Sequence, residues 1–176
     1  MSIQLKGTKT EANLRAAFSG ESQARNRYTY YSEIAKKEGH DEIAKFFEDT
    51  ANNERIHAKV WFKLLNGDVL PDTKANLAAA MEGERFEHTD MYPAFAKVAK
   101  EEGFDSISAL FAEIAAIEKK HEEQCKKILD ALNGGTSLEL KVPNIYCLQC
   151  GRDFAGDENV QECPICNAPP VYFMGK

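Results

Sequence analysis

Two segments of this chain carry a glutamate three residues before a histidine, at Glu54–His57 and at Glu118–His121. On a helix, side chains three positions apart lie on one face, about 60° apart around the axis and roughly 4.5 Å apart along it. A carboxylate and an imidazole in that arrangement can bind the same metal ion. The repeated pair therefore predicts two metal ions bound within a group of helices.

The spacing alone has little specificity, because chance would place two such pairs among four histidines in roughly a few per cent of cases. The alternative is a surface glutamate beside a core histidine. Glu21 and Glu84 lower the weight of that alternative, because each follows a glycine at a matching place in another predicted helix. One glutamate from each of two helices, with Glu-x-x-His from each of the other two, is the ligand set of di-iron carboxylate bundles.

A fifth carboxylate, Glu87, lies one helical turn after Glu84. Oxidation of two ferrous ions adds two positive charges, which a hydroxide and one more carboxylate would neutralise. We hypothesise that Glu87 supplies this carboxylate by competing with His57 for one iron. The alternative is a solvated glutamate on the helix surface.

The hydrophobic pattern and its breaks predict four helices. They run from a capping box at 8–11 to residue 38, from 41 to about 65, from about 74 to 102, and from 105 to about 132. Gly39 and Gly103 are expected to end helices in the left-handed conformation, and Asp41 and Asp105 to cap the helices that follow. Pro93 is expected to kink the third helix.

The two predicted helix pairs resemble copies of each other. Residues 35–41 align with residues 99–105 at an offset of 64, and Gly20-Glu21 aligns with Gly83-Glu84 at an offset of 63. A duplicated helical hairpin predicts a mainly α four-helix bundle with an internal two-fold. The character changes after Gly135, so we predict a bundle domain at 1–137 and a small metal-binding domain at 138–176.

Four cysteines in the last 30 residues form two Cys-x-x-Cys pairs separated by 12 residues: Cys147, Cys150, Cys163 and Cys166. Four thiolates in a tetrahedron suit zinc or iron, and the residues alone do not separate these metals. Gly151 and Asn167 follow the two pairs, where tight left-handed turns are expected. Residues 138–142 alternate like a short strand. Tyr146, Phe154 and Phe173 are candidates for a small aromatic core.

The composition excludes several classes of protein. Of the 176 residues, 43% are hydrophobic and 28% are charged, a balance typical of folded domains and not of disordered chains. A formal net charge of −6 without a basic block argues against nucleic-acid binding. We find neither an export signal nor a membrane-spanning run, so a cytoplasmic location without membrane association is expected.

The chain resembles a rubrerythrin in the order of its motifs. These are Gly-Glu-Ser-Gln-Ala-Arg-Asn-Arg-Tyr at 20–28, Glu54-x-x-His57, Glu84-x-x-Glu87, Met91-Tyr92-Pro93, Glu118-x-x-His121 and the two cysteine pairs. The resemblance covers essentially the whole chain. It implies a ferritin-like di-iron bundle followed by a rubredoxin-like iron domain. The implied activity is that of a non-haem di-iron peroxidase, which reduces hydrogen peroxide to water in oxidative-stress defence.

The resemblance also implies roles for particular residues. The di-iron ligands would be Glu21, Glu54, His57, Glu84, Glu87, Glu118 and His121, and the four cysteines would bind one further iron. In the family an iron moves between the positions matched by His57 and Glu87 when the redox state changes. The resemblance suggests that Tyr28 and Tyr92 hydrogen-bond near the cluster and help to deliver protons. Plain aromatic packing is their alternative.

The resemblance further implies how electrons arrive. The four-cysteine iron would pass electrons singly to the bundle, although zinc can replace this iron on recombinant expression. A rubredoxin or a pyridine-nucleotide-linked flavoprotein reductase is the implied donor.

The connection between the second and third helices suggests a dimer. In a ferritin-like bundle these helices run parallel, so the connection must span about 31 Å plus a sideways step, whereas residues 66–73 reach at most about 30 Å. We therefore predict a homodimer in which the helices are domain-swapped between two chains.

Two other functions remain as alternatives. A ferroxidase or iron-storage protein of the ferritin class would explain the bundle, but neither Glu87 nor the cysteine pairs. A zinc-loaded structural module would leave the carboxylates unexplained.

Overall fold

The computed structural model describes residues 4–135, 145–155 and 159–174. It divides into two compact units, Met1–Pro71 and Asp72–Lys176, each containing one helical hairpin. Helices predominate in the described part of the chain, and β-structure there consists of two short strands and one isolated bridge. The predicted mainly α class is therefore confirmed.

The first unit is a hairpin of helix α1 (Lys9–Lys37) and helix α2 (Asp41–Leu65). Thr8 caps α1 as predicted, because its Oγ1 accepts a hydrogen bond of 3.1 Å from the Glu11 N–H. The Glu11 carboxylate accepts the N–H of Gly7 at 2.7 Å, one residue before the cap. Small residues are buried along the hairpin, which lets the helices approach closely: Ala35, Ala44, Ala51 and Ala58.

The second unit contains helix α3 (Thr73–Phe86), a π-helical segment, helix α4 (Tyr92–Glu101) and helix α5 (Asp105–Gly134). Helices α3 and α4 together form one arm of the hairpin and α5 forms the other. The Asp72 carboxylate caps α3 by accepting the Ala75 N–H at 2.8 Å.

One hydrogen bond between the two helices of a hairpin occurs in both hairpins, with the positions of donor and acceptor exchanged. In the first hairpin the Ser32 hydroxyl donates to the Ala44 carbonyl at 2.8 Å. In the second, the Ser108 hydroxyl donates to the Ala96 carbonyl at 2.7 Å. These positions are related by the offset of 64 found in the sequence, so the repeat extends to individual contacts.

The π-helical segment, Glu87–Met91, replaces the simple proline kink that the sequence predicts. The Tyr92 N–H donates to the Glu87 carbonyl, five residues back, so this turn is wider than an α-helical turn. Pro93 has no N–H and its ring would crowd the carbonyl four residues earlier, which explains a disturbed turn at this point. The widened turn lies where the offset between the repeats changes from 63 to 64, and so it contains the extra residue.

Both hairpin turns use a left-handed glycine, as predicted. Gly39 has φ of 80° and Gly103 has φ of 84°. The N–H of the next residue donates to the carbonyl five residues back in each turn, His40 to Ala35 and Phe104 to Ala99, both at 2.8 Å. This pattern satisfies carbonyls that the preceding helix leaves free at its end.

The predicted caps at Asp41 and Asp105 are wrong. The capping positions are His40 and Phe104, and neither makes a side-chain capping bond. The two aspartates are the first residues inside the helices, because the turn geometry places the boundary one residue earlier. There their negative charges lie near the positive end of the helix dipole.

The C-terminal part of the second unit has little regular structure. Strand β1 (Tyr146–Cys147) pairs antiparallel with strand β2 (Phe173–Met174), and Pro170–Tyr172 forms a 3₁₀ turn. Phe154 and Phe173 are buried with ring centroids 4.6 Å apart, as predicted. The remaining members of this small core are Ile145, Cys147, Cys163 and Ala168.

Tyr146 is only half-buried, in contrast to the prediction, because its hydroxyl points outward to Met174 Sδ at 3.2 Å. The strand predicted at 138–142 and the domain boundary predicted at 137/138 lie outside the described residues. Within the described residues, no helix has the length and apolar character needed to cross a membrane.

We expect Gly103→Ala to destabilise the protein by about 1–2 kcal/mol, because an alanine is strained at this positive φ. A β-carbon there would meet no neighbouring atom within 4 Å, so the effect isolates backbone strain. Gly103→Asn is the matched control and should lose less, since asparagine tolerates the left-handed region. Urea unfolding at one fixed protein concentration measures both. Equal losses would show that backbone strain is not the cause.

Candidate metal centres

The first hairpin brings three predicted ligands together. Glu21 lies on α1, and Glu54 and His57 lie on α2. One ligand atom from each residue lies within 4.8 Å of the others. His57 Nδ1 is 2.7 Å from Glu54 Oε2 and 3.9 Å from Glu21 Oε1. The i, i+3 spacing thus places carboxylate and imidazole side by side, and the neighbouring helix adds a second carboxylate.

The second hairpin repeats this group with almost the same geometry. Glu84 lies on α3, and Glu118 and His121 lie on α5. His121 Nδ1 is 2.7 Å from Glu118 Oε2 and 3.6 Å from Glu84 Oε2. In both hairpins the same imidazole nitrogen faces the carboxylates, so each group offers two oxygens and one nitrogen to a metal ion.

The electrostatics of the second group fit a bound cation. Burial raises the pKa of Glu118, and the nearby Glu84 carboxylate raises it further, although His121 acts in the opposite direction. Two carboxylates that converge in a partly buried place repel each other unless a positive charge lies between them. Carboxylate and imidazole ligands suit divalent iron, and zinc also accepts them.

Glu87 is half-buried and opens the π-helical segment. Within the described residues it is not one of the three ligands gathered around His121. Its carboxylate nevertheless acts on Tyr92: burial, followed by the charges of Glu118, Glu87 and Glu84, raises the pKa of the Tyr92 phenol. Glu87 and Tyr92 therefore share the electrostatic surroundings of the second group, and their predicted roles stay predictions.

Tyr28 lies in an aromatic cluster on the first hairpin. Its ring centroid is 6.0 Å from that of Tyr31 and 6.1 Å from that of Phe47. These contacts agree with the alternative interpretation, in which Tyr28 packs against other aromatic side chains. Its predicted role in proton delivery therefore stays a prediction.

The sequence analysis did not predict one contact close to the second carboxylate–histidine group, the contact between His88 and Glu122. His88, inside the π-helical segment, places Nε2 at 2.6 Å from Glu122 Oε2 on α5, and both side chains are mostly buried. This contact ties the widened turn to the residue that follows His121. No short motif reveals it, because its partners are 34 residues apart.

The four cysteines converge as the paired spacing predicts. Their sulfur atoms all lie within 4.8 Å of one another. The separation is 3.6 Å between the sulfurs of Cys147 and Cys166, and 3.5 Å between those of Cys150 and Cys163. Four sulfurs at about 2.3 Å from one central ion would be about 3.8 Å apart, so the cluster fits a tetrahedral metal site.

Two matching turns shape the cysteine site. The Gly151 N–H donates to the Cys147 carbonyl and the Asn167 N–H to the Cys163 carbonyl, both at 2.9 Å. Gly151 and Asn167 have φ of 78° and 57°, which confirms the predicted left-handed turns.

The cysteine thiols differ in their proton affinity. Burial raises the pKa of Cys150, and it raises that of Cys166 as well. Burial acts in the same direction on Cys163, but the backbone N–H groups of Cys166 and Ile165 outweigh it and lower the pKa of this thiol. Amide groups directed at sulfur stabilise a thiolate, which is the form that binds a metal.

Comparison with known proteins identifies relatives over nearly the whole chain. The rubrerythrin family model matches residues 12–129. The chain is 46% identical to Rubrerythrin-1 of Clostridium acetobutylicum, in an alignment that covers 96% of this chain and 95% of that protein. It is 42% identical to the rubrerythrin of Nitratidesulfovibrio vulgaris, with 96% and 95% covered. It is 41% identical to the rubrerythrin of Porphyromonas gingivalis, with 98% and 92% covered. Together with the helices and the cysteine cluster, these matches confirm the predicted fold class.

We expect Glu118→Gln to stabilise the metal-free protein at neutral pH while weakening its metal binding. A carboxyl whose pKa is raised on folding binds its proton more tightly in the folded state, so stability falls as pH rises from about 4.5 through the raised value. The neutral glutamine avoids this loss, and its benefit should vanish below about pH 4. Thermal unfolding across pH, with metal analysis, measures both effects.

Glu123→Gln is the control, because Glu123 is an exposed glutamate in the same helix. A pH-independent difference between the two variants would contradict this explanation.

Proposed function

Because this chain belongs to the rubrerythrin family, we propose that it is a non-haem di-iron peroxidase that reduces hydrogen peroxide to water in oxidative-stress defence. Electrons would reach its di-iron site through the C-terminal four-cysteine iron site. The observation that carries this proposal is the presence of two matching carboxylate–histidine groups and a four-thiolate cluster in one chain.

The two carboxylate–histidine groups would together form one di-iron site. Each group alone offers three ligands, which leaves a metal ion incompletely coordinated. Joined, they supply two histidines and four carboxylates, whose charge of −4 balances two ferrous ions. When bound, the iron pair supplies the two electrons that hydrogen peroxide takes up, together with two protons, in forming two water molecules.

Glu87 would be the ligand that responds to the redox state. Oxidation leaves an excess of positive charge at the site, and Glu87 is a further carboxylate one helical turn after Glu84. Its position at the start of the π-helical segment supports this role, because such widened turns recur at functional sites. We propose that Glu87 binds one iron in exchange for His57.

Tyr92 would donate a hydrogen bond beside the site. Because burial and the surrounding carboxylates raise its pKa, the phenol keeps its proton at neutral pH. A protonated phenol near the cluster can hold or pass the protons that peroxide reduction requires. We propose the same function for Tyr28, for which the family resemblance is the support.

The four-cysteine site would bind iron and carry electrons. Its sulfur spacing suits a tetrahedral ion of either metal, and iron is the metal that can change its redox state. We propose a rubredoxin or a pyridine-nucleotide-linked flavoprotein reductase as the external donor. Four free thiols that bind a metal belong in a reducing compartment, which supports a cytoplasmic location.

The competing functions account for fewer features. An iron-storage protein has no need of a thiolate site that relays electrons. A zinc-loaded module would not need the second carboxylate–histidine group. Among the residues that the structure describes, no particular contact favours either alternative.

The protein would act as a domain-swapped homodimer. Helix α2 ends at Leu65 and α3 begins at Thr73, so seven residues must connect them. Seven residues span at most about 25–29 Å, less than the length of a bundle whose second and third helices run parallel. Each hairpin also exposes large apolar side chains, such as Phe46 at 62% and Phe86 at 56%, which need a covering surface.

The proposed activity predicts the behaviour of the iron-loaded protein under anaerobic conditions. The red colour of the oxidised protein should be bleached by dithionite and should return rapidly when peroxide is added. Metal analysis should find about three iron ions per chain, since the sites can bind three. A colourless zinc protein without peroxide turnover would refute the proposal, and assembly into a large spherical shell would favour iron storage.

The same assay separates the two metal sites. Cys150→Ser should leave one round of peroxide reduction by the prereduced bundle intact, because the di-iron ligands are unchanged. It should lower the rate of turnover with an external donor by about a hundredfold or more. Cys125→Ser is the control, because Cys125 lies outside the thiolate cluster. Unchanged coupled turnover in Cys150→Ser would refute the relay.

Lengthening the connection tests the domain swap. Eight Gly and Ser residues inserted after Gly67 should shift the metal-loaded protein from dimer towards monomer, because a longer connection lets one chain complete its own bundle. The same insertion after Gly135 should leave the dimer intact. Analytical ultracentrifugation measures both. A fully metal-loaded monomer of the unaltered chain on dilution would contradict the swap.

A further inference from the structure

A mostly buried hydrogen bond joins the π-helical segment to helix α5. His88, the second residue of that segment, directly follows Glu87, and Glu122 directly follows His121. The imidazole Nε2 of His88 lies 2.6 Å from Glu122 Oε2, and the two side chains are 15% and 23% exposed. A carboxylate can only accept a hydrogen bond, so the imidazole N–H donates it. A short bond to a charged acceptor is stronger than a neutral one, and burial limits competition from water.

The corresponding positions of the first hairpin cannot form this bond. Glu122 corresponds to Ala58 at the offset of 64, and His88 corresponds to Arg25 at the offset of 63. Ala58 has no side-chain acceptor, and Arg25 donates instead to the Thr29 hydroxyl of its own helix at 3.2 Å. Arg25 and Ala58 both line an open groove of about 360 Å³ between α1 and α2. The bond therefore occurs in the hairpin that contains the extra residue.

Two contacts hold the π-helical segment on α5. Near the start of the segment is the bond of His88 to Glu122. Directly after its end, the Tyr92 ring packs against Phe111 of α5, with ring centroids 6.0 Å apart. The Thr89 hydroxyl, which lies between these two points, donates to a carbonyl of its own arm at 2.7 Å. The two contacts with α5 thus enclose the widened turn.

The position of the widened turn decides the direction of Glu87. Each residue advances the side-chain direction of a helix by about 100°, and a wide turn absorbs one extra residue. If the wide turn began earlier, between Glu84 and Glu87, the angle between these two side chains would change by about 100°. The same rotation would turn His88 away from α5 and break its bond. The bond therefore favours the wide turn at its observed place.

The charge of Glu87 acts on the second carboxylate–histidine group. Burial is the largest cause that raises the pKa of Glu118 and that of Tyr92, and the charge of Glu87 contributes to both. Among the described residues, Glu87 is nevertheless outside the set of three whose ligand atoms gather around His121. Whether its carboxylate can join that set depends on the direction in which the wide turn presents it.

We propose that His88 and Glu122 are a positioning pair, which fixes the widened turn on α5 and thereby directs the Glu87 carboxylate towards the second carboxylate–histidine group. The ligand role of Glu87 rests on the proposed function, whereas the anchoring of the turn does not. The pair binds no metal ion itself and acts through the backbone that it shares with Glu87.

Amide hydrogen exchange tests the anchoring without any metal ion or activity. The Tyr92 N–H donates to the Glu87 carbonyl in the wide turn, so its exchange rate measures how often this turn opens. Glu122→Ala should raise that rate about tenfold, because a charged acceptor is lost. Glu122→Gln keeps an oxygen acceptor and should recover most of the protection, and Glu123→Ala, at an exposed neighbour, is the control. An unchanged rate in Glu122→Ala would overturn the proposal.

The binding of two redox-inert ions tests the direction of Glu87. Zn²⁺ has the charge of ferrous iron and Ga³⁺ that of ferric iron, and the four-cysteine site is filled with zinc beforehand. Because Glu87 is the proposed additional ligand of the oxidised state, Glu122→Ala should weaken Ga³⁺ binding about tenfold and Zn²⁺ binding by less than about twofold. When Glu87→Gln is already present, Glu122→Ala should have no further effect on Ga³⁺ binding. Competition with a chelator measures both affinities.

The outcomes separate this proposal from its alternatives. A merely structural role of Glu122 would weaken the binding of both ions alike and would persist beside Glu87→Gln, and either result would overturn the proposal. If Glu87→Gln binds Ga³⁺ as tightly as the unaltered protein, the ligand role of Glu87 fails and the directing of its carboxylate fails with it. The Tyr92 exchange rate then still decides whether the pair holds the turn. Peroxide turnover enters neither measurement, so a failure of the peroxidase proposal is recognised separately.

Discussion

Repulsion between converging carboxylates is the constraint on which the rest of this molecule depends. In each hairpin two partly buried glutamates lie beside one histidine, and burial and mutual charge raise the pKa of Glu118. Such a group is unfavourable without a cation and favourable with one. Tightly packed helices with small buried residues are what hold the carboxylates in place. The helices therefore hold the carboxylates in an arrangement that lowers the stability of the metal-free protein and raises its affinity for a metal ion.

The four cysteines are positioned in a different way from the carboxylate–histidine groups. Its four sulfurs belong to a domain with very little regular structure, so two left-handed turns and a small core must position them. Backbone N–H groups direct their positive ends towards Cys163, which favours the thiolate. The Gly151 turn of this domain lies against His121 of α5, where a β-carbon on the glycine would be 3.0 Å from the imidazole Nε2. Helix α5 therefore carries Glu118 and His121 and also contacts the cysteine turn.

Periodicity explains which parts of the structure could be predicted from the sequence. The mainly helical class and the left-handed cysteine turns depend on residues within a few positions of each other, and both predictions are confirmed. The same local spacing brings each Glu-x-x-His pair together, whereas the third predicted helix is interrupted by the π-helical segment. The caps at Asp41 and Asp105 were wrong by one residue, because the glycine turns fix the boundary through backbone bonds. The contact of His88 with Glu122 depends on tertiary packing, which local spacing does not encode.

The π-helical segment shows how a symmetric scaffold becomes asymmetric. The two hairpins follow one plan, except that the second contains a single additional residue, absorbed at Glu87–Met91. In the first hairpin the position that corresponds to Glu87 is Ala24, given the offset of 63. One inserted residue, together with one alanine-to-glutamate difference, is thus enough to make two equivalent metal positions inequivalent. Duplication alone would give two identical ligand groups, whereas in this chain only the second hairpin carries a glutamate, Glu87, at the position that Ala24 occupies in the first.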